Sequence, residues 1–144
     1  MSNIQLIQGD CLEHLKDLPD DSVDLILCDL PYKETGNKWD KSFDLEGVCR
    51  EFERLIREDG CIALTGTFRF GVQLFNLMPH LYKYDWVWDK VRGTGFLNAK
   101  KQPMRYHEML CVFYRKQCTY NPQKTTGHVK KTAFRKAELQ TPVY

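Results

Sequence analysis

The sequence predicts an α/β fold, and three observations support this prediction. Segments with the spacing of strands alternate with segments with the spacing of helices. The apolar run at residues 23–28 is typical of a strand covered on both faces, as in a parallel sheet. With 144 residues, 42% of them hydrophobic and 28% charged, the chain has the size and composition of one soluble globular domain.

The first half of the chain alternates strands and helices twice. Residues 4–8 predict a short strand, and residues 11–18 a short helix with Leu12, Leu15 and Leu18 on one side. Residues 23–28 (VDLILC) are almost all apolar and begin with a β-branched valine, which predicts a buried strand. A longer amphipathic helix is indicated by apolar side chains at 45, 48, 52, 55 and 56.

The second half continues the alternation and then loses it. Gly60 is expected to end the long helix, before a strand at 61–64 and a helix at 68–78. Two further strands, 83–88 and 109–115, are joined by a long basic loop that contains two glycines. After Cys118 the chain is polar and basic with little periodicity. We therefore divide the chain into a domain at 1–118 and a basic tail at 119–144, the tail being a candidate start of a target-recognition region.

The four residues Asp29-Leu30-Pro31-Tyr32 directly follow the predicted buried strand, where α/β folds bind ligands. Pro31 favours an extended backbone at Leu30 and so directs the Leu30 carbonyl. That carbonyl and the Asp29 carboxylate are two acceptors beside the flat ring of Tyr32. This group suits an exocyclic amine on a planar base; the alternative is an ordinary turn followed by a core tyrosine.

An amine of this kind is a poor nucleophile because its lone pair is delocalised into the ring. Two hydrogen bonds from its N–H groups would favour a pyramidal nitrogen and free the lone pair. A carboxylate would also offset the positive charge that builds on the nitrogen during methyl transfer. The motif therefore indicates chemistry at a base amine.

Charge is unevenly distributed although the net charge is only +2. Residues 1–60 hold 7 basic and 15 acidic side chains, whereas residues 90–136 hold 12 basic side chains and one acid, Glu108. A basic half indicates contact with a polyanion, and the interleaved rings favour nucleic acid, since bases stack on rings between phosphate contacts. The alternative is a solvated charged surface. These rings are Phe96, Tyr106, Phe113, Tyr114, Tyr120 and Phe134.

Several classes of protein are disfavoured by the sequence. The six cysteines form no C-x-x-C pair, which favours reduced, buried thiols over disulfides or zinc, and no metal is expected. No run of about 18 apolar residues is present, so no membrane span is expected. The N-terminus lacks the basic start and apolar stretch of a signal peptide, which predicts a cytoplasmic location.

Two separated segments resemble the β-class amino DNA methyltransferases, especially phage-type adenine-specific ones. The first is QGDCLEHLKDLPDDSVDLILCDLPY and the second is WVWDKVRGTGFLNAKKQPMRYHEMLCVFYRK. The resemblance implies a Rossmann-like sheet dependent on S-adenosylmethionine, with an antiparallel C-terminal strand. It also implies transfer of a methyl group to DNA. Asp29 favours adenine N6, because the cytosine-N4 branch of the family usually has serine there.

The resemblance also assigns roles to residues. Asp29 and the Leu30 carbonyl would hold the target amine, Pro31 would fix the loop, and Tyr32 would stack on a base flipped out of the duplex. Other assignments have alternatives: Asp10 could be only a helix cap, Trp39 a core residue, and His107 and Glu108 could orient a loop rather than perform acid–base work. The remaining implied residues are Asp10 and Cys11 beside the adenosine of the cofactor, Lys38, Trp39 and Asp40 in a closing loop, and Asn98, Lys100, Lys101 and Arg105 on the DNA side.

Two departures from the family pattern matter. Leu30 replaces a usual proline, at a cost of about 1 kcal/mol or less in loop rigidity. The glycine-rich loop and the ribose-binding acid of the family are absent from this sequence, so the predicted sheet is incomplete and residues 23–28 have an open edge. Either residues 4–8 pair there, or a homodimer or a complementing C-terminal chain covers the edge. The open alternatives are an inactive DNA-binding remnant and a methyltransferase for RNA or protein.

Overall fold

One mixed sheet organises the part of the chain that the structure, a computed structural model, describes: residues 4–32 and 44–129. The strand order is β1-β2-β4-β3, with β1 parallel to β2 and β4 antiparallel to both of its neighbours. This topology confirms the α/β prediction and the antiparallel C-terminal strand. The strands are β1 Val23–Cys28, β2 Ile56–Gly66, β3 Tyr82–Thr94 and β4 Arg105–Phe113.

Each of the three α-helices in the described part of the chain begins at a side chain that caps the first turn. Asp10 accepts a hydrogen bond from the Leu12 amide at 2.8 Å, Asp44 from the Gly47 amide at 2.9 Å, and Thr67 from the Phe70 amide at 3.3 Å. These acceptors satisfy amides that have no partner within the helix. The helices are α1 Cys11–Lys16, α2 Leu45–Leu55 and α3 Phe68–Leu77, and a 3-10 turn spans Phe96–Asn98.

A hydrophobic core cluster lies on one face of the sheet. Ile62 and Leu64 of β2 point toward the helices, and they are buried against Val48, Phe52 and Leu74. Because side chains alternate along a strand, every second residue of β2 and its neighbours faces this core. The α1 side chains Leu12 and Leu15 pack against the same cluster. The described helices therefore all cover the same face.

The predicted strand at residues 4–8 is wrong. These residues are exposed and form no strand, with Ile4 80% and Leu6 92% exposed. A strand needs a partner for its backbone groups, and local alternation alone does not supply one. Direct pairing of residues 4–8 with β1 is therefore also wrong, and cover by a second copy or another chain stays a prediction.

The expectation that β1 is covered on both faces is also wrong for the described chain. β1 forms one edge of the sheet, and its Leu25 and Leu27 side chains are 56% and 67% exposed. Their neighbours Ile26 and Cys28 pack against the core instead. The apolar run thus has one covered face, and its second apolar face lies bare.

Gly60 does not end α2, contrary to the sequence prediction. The helix ends at Leu55, and the next residue, Ile56, has extended backbone (φ −71°, ψ 130°) and is fully buried. A β-branched residue that is buried beside a strand favours this conformation. Gly60 lies within β2, where an added Cβ would come within 3.0 Å of the Asp24 carbonyl oxygen.

Arg115 joins the end of β4 to the junction between α2 and β2. Its guanidinium donates to the carbonyl of Ile56 at 3.0 Å, to the carbonyl of Glu53 at 2.6 Å and to the Asp21 carboxylate at 2.8 Å.

We expect Arg115→Met to lower the free energy of unfolding by about 2 kcal/mol, because two carbonyls lose charged donors. Urea unfolding measures this. The adjacent, exposed Lys116 is the control: Lys116→Met should change stability by about 0.5 kcal/mol or less, and equal effects would contradict the prediction.

Candidate functional site

The site lies at the carboxyl ends of the two parallel strands. The β1–β2 register pairs Cys28 with Leu64, so Asp29 and Thr65 follow at neighbouring positions. Both side chains point to the face opposite the helices, because they alternate with the core residues Cys28 and Leu64. The sheet topology therefore brings two polar side chains together where each strand ends.

Asp29, Tyr32 and Thr65 form one hydrogen-bonded cluster. The Asp29 Oδ1 accepts from the Thr65 hydroxyl at 2.5 Å and from the Tyr32 hydroxyl. The two hydroxyl oxygens lie 3.2 Å apart. Thr65 is buried and Asp29 is exposed. A buried hydroxyl thus fixes the direction of a carboxylate that stays open to solvent.

The Tyr32 ring is held against Phe70 at the start of α3. The ring centroids are 4.9 Å apart and the planes are inclined by 39°. Burial, and then the hydrogen bond to Asp29, raise the pKa of Tyr32 well above its usual range. The phenol therefore stays protonated at neutral pH and donates to the carboxylate.

Leu30 and Pro31 anchor the loop between these side chains. The Leu30 side chain is only 7% exposed and belongs to the hydrophobic core, and Pro31 is half-buried. An apolar residue in place of the usual proline thus fastens the loop by packing. The role of the Leu30 carbonyl as an acceptor stays a prediction.

Asp10 and Cys11 lie at the start of α1, near the end of β1. The Asp10 carboxylate caps α1, which was the alternative role considered for it. Burial raises the pKa of the Cys28 thiol, and the charges of Cys11 and Asp29 raise it further. The cofactor-binding role of Asp10 and Cys11 stays a prediction.

Thr65 was missed by the sequence analysis. The available signal was its position directly after the predicted strand at 61–64, since the carboxyl ends of neighbouring parallel strands share an edge. The charge of Glu108 contributes weakly to the raised pKa of Tyr32. It pairs with Lys90 at 2.5 Å, and both side chains are largely buried.

The predicted DNA-side residues lie between β3 and β4, on the connecting loop and at Arg105, the first residue of β4. The Asn98 carbonyl accepts from the amides of Lys101 at 2.8 Å and Gln102 at 3.0 Å, which closes a tight turn. Lys100, Lys101 and Arg105 are exposed there. Lys38, Trp39 and Asp40 lie outside the described residues.

Residues 4–32 and 44–129 contain neither a membrane-spanning helix nor a metal-binding cluster. No helix in these ranges is long and apolar enough to cross a membrane. No group of three or more His, Cys, Asp or Glu side chains gathers there in a way that could hold a metal ion.

Comparison with known proteins gives sequence relatives that are longer than this chain. No protein-family profile matches it. It is 27% identical over 154 residues to the type II methyltransferase M.HinfI of Haemophilus influenzae, across 88% of this chain and 43% of that protein. It is 37% identical over 107 residues to the uncharacterized protein YpiP of Bacillus subtilis (strain 168), across 74% of this chain and 38% of that protein. The chain thus spans less than half the length of these relatives.

Solved structures share the fold. The M1.HpyAVI–SAM complex matches with a TM-score of 0.64 and 20% identity, over 86% of this chain and 60% of that one. The cytosine-N4-specific PvuII DNA methyltransferase matches with a TM-score of 0.55 and 13% identity, over 76% of this chain and 48% of that one. The comparisons therefore relate this chain in sequence to a type II methyltransferase, and in fold to M1.HpyAVI and to the PvuII DNA methyltransferase.

Proposed function

We propose that this chain forms the base-binding part of an S-adenosylmethionine-dependent DNA methyltransferase that acts on an exocyclic amine, adenine N6. The observation that carries the proposal is the Asp29–Thr65–Tyr32 cluster at the carboxyl ends of β1 and β2. The similarity to M.HinfI supports the reaction class. The aspartate at position 29 supports adenine over cytosine, as the family resemblance implies.

Asp29 holds the amine in this proposal. The observed hydrogen bonds from Thr65 and Tyr32 both reach Oδ1, so Oδ2 is placed to accept from a base N–H. The Leu30 carbonyl would accept from the second N–H. Two acceptors orient the nitrogen lone pair, and the carboxylate stabilises the positive charge that develops on nitrogen.

Tyr32 positions the base. One side of its ring packs on Phe70, which fixes the ring plane, and the other side is available for stacking in this proposal. Stacking on an aromatic ring contributes about 1–3 kcal/mol per base. A flipped base would then lie flat beside Asp29.

The site chemistry fits S-adenosylmethionine as the methyl donor, because an exposed carboxylate lies where positive charge must be balanced. S-adenosylmethionine supplies an electrophilic methyl group when it is bound. Asp10 and Cys11 would contact its adenosine side, as the family resemblance implies. None of the described strands pairs with the outer edge of β1, so these two would supply only part of the cofactor contacts.

The experiment is transfer of tritiated methyl groups from S-adenosylmethionine to duplex DNA, with RNA and protein as competing acceptors. We expect labelled DNA, with the label in N6-methyladenine after digestion. Label only in RNA or protein would contradict the DNA assignment. Label in N4-methylcytosine would contradict the adenine assignment alone.

The loop between β3 and β4 is the proposed DNA contact, and its lysines are expected to bind phosphates. In the double variant Lys100→Ala/Lys101→Ala, we expect weaker binding to all duplex sequences and a salt dependence whose logarithmic slope falls by about two. Fluorescence anisotropy at several salt concentrations measures this. Lys116→Ala, at the opposite end of β4, is the control and should leave the slope unchanged. An unchanged slope in the double variant would place the DNA elsewhere.

A further inference from the structure

A pocket lined by aromatic rings lies on the sheet face opposite the helices. Its volume is about 330 Å³, and its lining residues are Tyr84, Trp86, Tyr114, Gln117 and Tyr120. Trp86 identifies the face, because it pairs with Leu110, which pairs with Thr65. Since β4 lies between β3 and β2, Trp86 is two strand spacings, about 10 Å, from Thr65. The pocket is therefore separate from the cluster around Asp29.

The inner part of the pocket is fixed by packing. Tyr114 is buried, and its ring meets the Tyr84 ring edge-on, with centroids 6.5 Å apart and planes inclined by 71°. Tyr84 also contacts Trp86, with centroids 6.0 Å apart and planes inclined by 30°. The Tyr114 hydroxyl donates to the Gln117 side-chain oxygen at 3.2 Å, which ties the segment after β4 to the sheet. The side chains of the protein alone thus form this part of the pocket.

Two large rings at the pocket are open to solvent. Trp86 is 53% exposed and Tyr120 is 58% exposed, although both line the same cavity. Each ring combines an apolar face with a polar edge, so it binds best to a flat ligand that is itself partly polar. The volume of the cavity lies in the range of ligand pockets, about 300–1,000 Å³. The pocket is therefore suited to a flat, polar ring.

The charges beside the pocket favour a ligand that carries negative charge. The Lys83 Nζ lies 5.2 Å from the centroid of the Tyr114 ring, so a positive charge already lies at one ring and disfavours a cationic ligand. Residues 117–129, which supply Gln117 and Tyr120, include Lys124 and no acidic side chain. Aromatic rings beside lysines are the combination that binds the bases and phosphates of single strands.

We propose that this pocket binds an unpaired base of a single-stranded nucleic acid, stacked on Trp86 and Tyr120, with Lys83 at a neighbouring phosphate. The base must be unpaired, because bases in a duplex are stacked on their neighbours and present no free face. Every base has a flat face, so binding by stacking requires no particular sequence. This site goes beyond the proposed function and does not depend on methyl transfer.

The test is fluorescence anisotropy with short labelled strands of oligothymidylate and oligouridylate. We expect saturable binding of at least one strand, and the strand bound more tightly identifies DNA or RNA as the source of the base. Trp86→Ala and Tyr120→Ala should each weaken binding about 5- to 150-fold, the effect of losing one stacking contact. Lys83→Met should lower the logarithmic slope of binding against salt by about 0.7, the value for one phosphate contact in a single strand.

Trp88→Ala is the matched control. Trp88 lies on the same strand as Trp86 and is 52% exposed, but it does not line the pocket, so the affinity should stay unchanged. Circular dichroism melting should show the Trp86, Trp88 and Tyr120 variants folded, since each replaced side chain is more than half exposed. Equal weakening by Trp88→Ala would overturn the proposal. So would binding of neither strand, or an unchanged affinity in both pocket variants.

A second copy of the chain is the other occupant that the experiment tests. A dimer seen by light scattering that Trp86→Ala dissociates would show that the rings contact another chain, and it would overturn the proposal. The anisotropy assay contains neither S-adenosylmethionine nor duplex DNA. Loss of single-strand binding would therefore leave the proposed methyl transfer in place, and failure of methyl transfer would leave this pocket in place.

Discussion

Asp29→Asn is expected to lower the rate of methyl transfer by about 10²–10³-fold and to leave the fold intact. Loss of one preorganised electrostatic contact to a developing charge typically has an effect of about this size. Asparagine removes the negative charge and can turn an NH2 group toward the base amine, where an acceptor is required. Its amide oxygen can still accept from Thr65, and the side chain is exposed, so stability should change little.

Asp24→Asn is the control for Asp29→Asn. It makes the same change of charge on the same strand, but Asp24 is exposed and pairs with Arg57 at 3.2 Å, away from the strand end. Single-turnover rates and melting temperatures are measured for both variants. Equal rates for the two variants would show that Asp29 does not contact the reacting amine.

The elements near the site could be predicted because their signals are local. The apolar run of β1 and the spacing of α2 each require only neighbouring residues, and the rule that ligands bind at strand ends then locates Asp29. Tyr32 followed from the same motif. The antiparallel β4 came from the family resemblance, since no residue pattern in β4 itself fixes its direction.

Three features could not be predicted correctly, because each depends on residues that are distant in the chain. They are the contact of Thr65 with Asp29, the conformation of residues 4–8 and the position of Gly60. The bond from Thr65 to Asp29 depends on the register of β1 against β2, which no local pattern encodes. The segment at 4–8 has the alternation of a strand but no strand beside it. A glycine that follows a helical pattern is typical of a helix end. The close approach of the Asp24 backbone explains the glycine at position 60 better.

Phe113→Ala is expected to lower the free energy of unfolding by about 3–5 kcal/mol. Phe113 is fully buried at the end of β4, and the register places it between Ile62 of β2 and Tyr82 of β3. Its ring also meets the Tyr82 ring edge-on, with centroids 5.7 Å apart. Alanine would leave a cavity where three strands meet the helices, and that loss is a large part of the about 5–15 kcal/mol typical of a domain.

Urea unfolding followed by circular dichroism measures this loss as a lower midpoint with an unchanged slope. Phe68→Ala removes the same side chain from a site that is 74% exposed at the start of α3, and it should cost about 1 kcal/mol or less. Phe113→Leu, which keeps most of the volume, should fall between the two. Equal midpoint shifts for Phe113→Ala and Phe68→Ala would contradict this prediction. They would show that the packing on the helix side of β4 does not hold β1 and β2, and with them Asp29, in place.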